Sequence, residues 1–350
     1  MTMRDFSCFR DAAVNTISAV SSGAGDHLDR TLQAATACVY RAALSSSRKE
    51  ILVTVTWTRS VPGTEANAGT PGISVAVEDV APPKPKLPPP SSAVGTTAAT
   101  PRRSPVKPAV QANQKMHLQT KRRGSRSFVT EGGTAVAVHW DTSNAKYAAP
   151  TTSSPSPEPC FDYYLAVVAD GEPVLLLGDA ARRFASAAAP PRPQAVLLSR
   201  REQLRAPPSP STPTTTSAVV VAHSTRCRFR DGGAEHEVTV HCRGDRRTCS
   251  SAATDEGEVA VSVDGRTLVE ARRVGWNFRG NRTAVLADGA VVEVMWDVHD
   301  WWFSGCTGTG AAQFMVKARG GGGGVWMDEE MASKGHPPAG FFLHMQCYRR

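Results

Sequence analysis

Two arginine pairs are the residues of this chain whose type and spacing could do chemistry. Arg123 and Arg126 occur in the order Arg-Gly-x-Arg, and Arg279 and Arg282 repeat that order later in the chain. Each pair supplies two guanidiniums beside a glycine, which lets a ligand approach the backbone closely. Two such groups can hold a carboxylate or a phosphate through bidentate hydrogen bonds. The motif therefore indicates a candidate site for a small anion.

The same arginines also have a structural interpretation. Asp141 and Asp297 follow the two motifs at the same distance, and each could neutralise an arginine. The tryptophan directly before each aspartate, Trp140 or Trp296, could instead lie beneath a guanidinium. We favour these structural roles over ligand binding.

A second group of candidate contact residues lies in the run AVVEVMWDVHDWWF at 290–303. Trp301 and Trp302 are adjacent, so in a strand they would point to opposite faces. One of them would then face away from the core and be available to a sugar or a protein partner. We therefore add both to the candidate binding residues.

The elements that position these residues are predicted to be strands. Val292, Val294 and Trp296 alternate with Glu293 and Met295, the period of two expected of a strand with one buried face. Asp-Gly at 288–289 lies between two apolar runs and is typical of a tight hairpin turn. The stretch is therefore predicted to be the second arm of a β-hairpin.

The hairpin has an earlier counterpart 156 residues upstream. Reading 123–147 against 279–303 without a gap gives nine identities in twenty-five positions. The identical pairs are Arg123/Arg279, Gly124/Gly280, Arg126/Arg282, Val129/Val285, Gly133/Gly289, Val136/Val292, Val138/Val294, Trp140/Trp296 and Asp141/Asp297. Weaker matches precede them in the same order, including CVYR at 38–41 with CRFR at 227–230. An internal repeat is therefore predicted.

These patterns predict an all-β fold of two internally duplicated antiparallel units, packed as a sandwich, with long disordered insertions rich in Pro, Ala and Gly. The expected boundaries are a disordered N-terminal segment 1–34, the first part of unit one 35–80, a disordered basic Pro-rich linker 81–120, the second part of unit one 121–184, a Pro-rich connector 185–217, unit two 218–318 and a flexible Gly-rich tail 319–350.

Several kinds of active site are not indicated. Asp297, His299 and Asp300 resemble a metal-ligand set, but the earlier copy has Ser143 and Asn144 in place of the last two. The cysteines lack C-x2-C spacing, no G-x-S-x-G elbow occurs, and the pentaglycine at 320–324 lacks the Gly-Lys-Ser/Thr of a phosphate loop. We expect no catalytic residue, no metal and no cofactor.

The positive charge is concentrated in the linker. The chain carries a formal net charge of +8, while residues 81–127 contain ten lysines or arginines and no acid. This favours a solvated linker over a basic folded face, so nucleic acid is not the expected partner; weak, non-specific nucleic-acid binding through the linker remains an alternative. Ser104 precedes a proline in this linker and is a candidate phosphorylation site.

The expected compartment is intracellular. Eight cysteines show no dense disulfide framework, and no apolar signal region precedes them. Acids within the first thirty residues argue against a plastid or mitochondrial transit peptide, so we favour the cytoplasm or nucleus. No apolar run approaches the ~18 residues that a membrane-spanning helix requires.

Several motifs in fixed order give the chain a family likeness. They include MRDFSCF at 3–9, CVYR at 38–41, VTVTWT at 53–58, KRRGSRSF at 121–128, VLLLGD at 174–179, WNFRGNRT at 276–283 and VEVMWDVHDWWF at 292–303. The chain resembles the plant family known as domain of unknown function 868. The resemblance implies a land-plant protein whose family has no established activity, so it supplies no catalytic residues.

Taken with the predicted fold, these observations favour a non-enzymatic protein-binding or scaffold module whose partner is another protein. The alternative is a small-ligand binder or an enzyme that uses the duplicated Arg-Gly-x-Arg motifs. The two differ in whether Arg126 and Arg282 open into a concave pocket or lie flat against acids.

Overall fold

The computed structural model describes residues 32–59, 72–80, 115–117, 122–147, 156–181, 195–206, 220–230, 232–243, 257–303, 310–319 and 340–348. In these ranges the chain is built almost entirely from strands, as predicted. No helix among them has the length and apolar surface that a membrane crossing would need. Ser104 and the predicted linker up to Gln114 lie outside the described residues.

In the described residues of its first half, the chain forms eight strands in two groups of four. The first group is β1 (Leu32–Ala43), β2 (Glu50–Thr58), β3 (Gly72–Asp79) and β4 (Lys115–His117). The second group is β5 (Arg123–Val129), β6 (Ala135–Asp141), β7 (Tyr164–Ala169) and β8 (Glu172–Leu177).

A single strand, β9 (Val196–Arg205), precedes the second half. The second half again has two groups of four strands, with one short helix. The first group is β10 (Val220–Cys227), β11 (His236–Arg243), β12 (Glu258–Val263) and β13 (Arg266–Arg272). The second group is β14 (Arg279–Val285), β15 (Val291–Asp297), α1 (His299–Phe303), β16 (Ala311–Ala318) and β17 (Phe342–Tyr348).

The strands form three sheets. A nine-stranded sheet has the order β14-β15-β16-β17-β9-β1-β2-β3-β4, and two four-stranded sheets have the orders β5-β6-β7-β8 and β10-β11-β12-β13. Neighbouring strands are antiparallel except β17 and β9, which are parallel. The large sheet thus combines the first group of the first half with the last group of the second half, and β9 joins them.

Each four-stranded sheet packs on one end of the large sheet. Side chains of β1–β3 meet those of β6–β8 in one buried core, and side chains of β9–β13 meet those of β14–β17 in another. The alternation along β2 shows why: Ile51, Val53, Val55 and Trp57 are buried while the residues between them are partly exposed. One face of β2 is therefore buried, and burying each such side chain stabilises the fold by about 1.5–3 kcal/mol.

The two hairpins matched in the sequence have the same geometry. In β5 and β6 Arg123 pairs with Asp141, and in β14 and β15 Arg279 pairs with Asp297, so the register is identical. The turn glycines Gly133 and Gly289 both have positive φ, as the predicted hairpin turns require. The patterns of buried and exposed residues along β5 and β14 are the same.

Four segments differ from the predictions. The predicted disordered linker 81–120 contains β4 at 115–117, which pairs with β3. The predicted flexible tail at 319–350 is wrong for its last part, because β17 lies inside the large sheet between β16 and β9. The predicted Pro-rich connector at 185–217 contains a full strand, β9. The run after Asp297 does not continue as a strand: it turns into α1, because the Asp297 carboxylate accepts a hydrogen bond from the His299 N–H at 3.0 Å.

Candidate functional site

The four candidate arginines lie on two edge strands. β5 is an edge of its four-stranded sheet and β14 is an edge of the nine-stranded sheet. Their outer sides pair with no strand among the described residues. All four arginine side chains are exposed. The four arginines therefore lie within the first strand of each hairpin, and each hairpin begins at the rim of a sheet.

The first arginine of each motif forms an ion pair. Arg123 Nε lies 3.6 Å from the Asp141 carboxylate, and Arg279 contacts Asp297 through Nε at 2.8 Å and Nη2 at 2.7 Å. The Arg279 guanidinium also lies 5.9 Å from the centre of the Phe278 ring. Exposed pairs of this kind contribute roughly 0.2–1 kcal/mol each. Both of these arginines therefore contact the aspartate that the sequence offered as a structural partner.

The glycine of each motif leaves room for the tryptophan ring of the neighbouring strand. A Cβ added to Gly124 would lie 2.9 Å from Cζ2 of Trp140, and a Cβ at Gly280 would overlap the ring of Trp296. Each ring lies across the glycine of the neighbouring strand, and Trp296 also donates from Nε1 to the Asn277 carbonyl at 3.1 Å. The space beside each glycine is therefore filled by protein, which excludes the close ligand approach considered from the sequence.

The second arginine of each motif is different. Within the described part of the chain, neither Arg126 nor Arg282 has an acidic partner. Arg282 lines a shallow groove of about 320 Å³ between β13 and β14, together with Arg266, Thr267, Leu268, Thr283, Ala284 and Val285. No acid is among these lining residues. The charged side chains that line the groove are therefore two arginines, without an acid beside them.

Exposed valines accompany the arginines. Val129 is 58% exposed at the end of β5, and Val285 is 56% exposed at the same position of β14. They are among the few large apolar side chains that the described residues leave in solvent. Each edge strand thus presents a cation and an apolar group to its surroundings.

The comparisons with known proteins add a family to this geometry. A model of plant proteins of unknown function (DUF868) matches residues 31–342. The chain belongs to this family. The match starts just before β1 and ends at the first residue of β17. It therefore contains the first core and all of the second core except Leu343, Met345 and Cys347 of β17.

Further comparisons add little about the DUF868 chain. No curated protein matches it significantly. A solved structure of an AttH protein from Nitrosomonas europaea matches 85% of this chain and 91% of its own, with 10% identity and a TM-score of 0.22. At that TM-score the likeness carries no argument about fold or activity.

The two candidate tryptophans do not lie as the strand prediction required. Trp301 and Trp302 belong to α1, where the helical turn directs both side chains into the protein, and they are 0% and 4% exposed. In the described residues the exposed tryptophan is Trp276, which is 80% exposed on the turn between β13 and β14. The glycine before it, in Val-Gly-Trp, was the one sequence signal of a turn there.

The DUF868 chain also contains a buried charged network that the sequence did not reveal. Glu202 on β9 accepts hydrogen bonds from Arg200 at 2.6 Å, His223 at 2.7 Å and Thr225 at 2.8 Å. Arg200 also donates to Glu158 at 2.8 Å. Burial alone would raise the pKa of Glu202, but Arg200 and the His223 hydrogen bond outweigh it and lower that pKa to about 2.

A second buried histidine contacts both the four-stranded sheet β10–β13 and the nine-stranded sheet. His236 Nδ1 lies 2.7 Å from Asp264, and Nε2 lies 3.3 Å from Asp288. The aspartates belong to the turns before β13 and before β15, so one imidazole bridges both sheets. Burial opposes protonation of His236, but the two carboxylates outweigh it and raise its pKa. Among the described residues no group of three or more His, Cys, Asp and Glu could hold a metal ion.

Proposed function

We propose that this DUF868 protein is an internally duplicated, non-enzymatic protein-binding module whose contact surfaces are the edge strands β5 and β14. The observation that carries the proposal is that both edges present an arginine without an acidic partner among the described residues and an exposed valine. These residues lie at matching positions, Arg126 with Val129 and Arg282 with Val285. An edge strand offers free N–H and C=O groups along its length, which is a common basis for binding another chain.

The buried polar groups support a binding module over an enzyme. Glu202 and His223 make the hydrogen-bonded acid and imidazole pair that an active site could use, but their side chains are 0% and 1% exposed. A substrate would have no access to them without opening the core. Their position beside β9, between the two halves, suits a structural role in holding the large sheet together.

A small-anion binder is the second candidate. The groove beside Arg282 favours it, because Arg266 and Arg282 provide two cations that lack acidic partners among the described residues. The groove is shallow, however, whereas sites for small molecules usually bury most of the ligand surface. The shape therefore favours a chain lying along the edge over a small molecule held in a pocket.

The compartment that we propose is intracellular, in the cytoplasm or nucleus. In the described part of the chain the thiols of Cys38, Cys160, Cys227 and Cys347 form no disulfide, and all but Cys160 are buried. Burial raises the pKa of the Cys38 thiol to about 11 and that of Cys227 to about 12, so both stay protonated and unreactive. Free thiols of this kind suit a reducing compartment.

The proposal is tested by proximity labelling in plant tissue with three forms of the protein. The wild type is compared with the double variant Arg126→Glu/Arg282→Glu and with Arg226→Glu, which reverses an exposed arginine on β10. We expect a set of proteins labelled by the wild type and by Arg226→Glu and lost with the double variant. If all three forms label the same proteins to the same extent, the edges are not the contact surfaces.

A further inference from the structure

The groove between β13 and β14 has features that specify the chemistry of a partner. It lies where the start of β13 approaches the end of β14, each the edge strand of its own sheet. β14 has seven residues and so offers a free edge about 23 Å long. A partner segment of six or seven residues in extended conformation could pair with it.

The charges of the groove select an acidic partner. Arg266 and Arg282 are exposed, and neither is paired with an acid in the described ranges, while the nearby Arg279 is already neutralised by Asp297. A second copy of this chain pairing through the same edge would bring arginines next to arginines, and facing like charges destabilise strand pairs. A segment with carboxylates on one face would neutralise both free cations.

The apolar residues of the groove indicate that the acidic residues of the partner should alternate with apolar ones. Leu268 is buried at the base of the groove, Ala284 is partly buried, and Val285 stands exposed at its rim. A strand directs successive side chains to opposite faces, so an acidic residue facing the arginines leaves its neighbours to face the other way. Beside the exposed valine, those neighbours are best apolar and β-branched.

We propose that β14 binds an acidic, extended protein segment by strand addition, with Arg266 and Arg282 holding its carboxylates. This inference rests on the proposed function and names the partner class for one of its two edges. The backbone ladder supplies pairing that any sequence could use, and the two guanidiniums supply selectivity for acids.

The direct test measures binding of a fluorescein-labelled ten-residue peptide, five glutamates alternating with five valines, to the full-length protein by fluorescence anisotropy. We expect saturable binding that weakens as salt is raised. Reversing Arg266 or Arg282 to glutamate should weaken it at least about tenfold, because each removes a charge-assisted hydrogen bond. The affinity of Arg226→Glu should stay within about twofold of the wild type, since Arg226 lies on β10, at the opposite edge from β13 in the sheet β10–β13.

Two further probes separate strand addition from simple charge attraction. A peptide with prolines in place of the valines has the same charge but lacks half of the N–H groups and avoids the strand ladder. It should bind at least about tenfold more weakly. Hydrogen exchange should show slower exchange of β14 amides on addition of the glutamate-valine peptide and no change in β10.

Each outcome decides the inference. Equal binding of the proline peptide, no protection of β14, or no effect of either arginine reversal would overturn it. Tighter binding of a single-stranded oligonucleotide that is lost with Arg282→Glu would assign the groove to phosphates instead. If the peptide does not bind but proximity labelling still depends on the edge arginines, the acidic partner class is wrong while the protein-binding function stands.

Discussion

Gly124→Ala is a substitution whose effect can be worked out from the structure. The added methyl group would lie 2.9 Å from Cζ2 of Trp140, a ring that is 3% exposed and cannot move aside without disturbing the first core. Overpacking of this kind costs about 1–3 kcal/mol. Replacing glycine by alanine inside a strand otherwise stabilises the fold by about 0.5–1 kcal/mol. We therefore expect a net loss of about 1–2 kcal/mol.

The assay is thermal unfolding followed by far-UV circular dichroism. A loss of this size should lower the Tm by about 2–8 °C. The exposed neighbour Ser125→Ala is the matched control and should leave the Tm unchanged. Combining Gly124→Ala with Trp140→Leu tests the cause directly, because the smaller side chain leaves room for the methyl group. In the Trp140→Leu background Gly124→Ala should cost nothing or stabilise. An equal loss in both backgrounds would refute the reasoning.

Three more outcomes follow from the described contacts. Trp140→Ala should lower the free energy of unfolding by about 3–5 kcal/mol, and Trp296→Ala should lower it by less, because Trp296 is only half-buried. Equal losses for the two variants in urea titrations would contradict this prediction. His236 has a raised pKa, so its ion pairs stabilise the fold below the unfolded-state pKa, and this stabilisation is lost as pH rises through the folded-state pKa. Between mildly acidic and alkaline pH, the Tm of the wild type should therefore fall by more than the Tm of His236→Gln. Deleting residues 81–114 should leave the thermal transition nearly intact, since each doubling of loop length costs only about 0.6 kcal/mol; a lost or broadened transition would show that the segment packs on the body.

Local features of the fold were predictable because their causes are local in sequence. Strand β15 and the Asp-Gly turn before it depend on residues within a few positions of each other, and both are present as predicted. The pairing of Arg279 with Asp297 was predictable for the same reason, since a hairpin register fixes which residues face each other.

The remaining features depend on distant residues. The parallel pairing of β9 with β17 joins segments that no local pattern connects, and both lie near stretches rich in proline or glycine. Glu202 and Arg200 look like exposed residues of an edge strand, because their burial makes sense only with His223 and Glu158 as partners. The groove escaped prediction since Arg266 and Arg282 belong to different sheets.

The arrangement of the sheets bears on how far the duplicated motifs can share a function. The hairpin β5–β6 belongs to a small sheet, whereas the hairpin β14–β15 forms one end of the large sheet. Contacts within each hairpin are the same in both, as the glycine under each tryptophan and the ion pair at each strand start show. Contacts beyond the hairpin differ, because β14 lines a groove with β13, whereas the turn of the β5–β6 hairpin donates a hydrogen bond from the Gly132 N–H to Asp79 of β3 at 3.1 Å. Since the groove is made by the facing strand, Arg126→Glu and Arg282→Glu have to be measured as separate variants. A peptide that loses affinity with Arg282→Glu alone would show that the duplication kept the hairpin and that only the second copy acquired the binding groove.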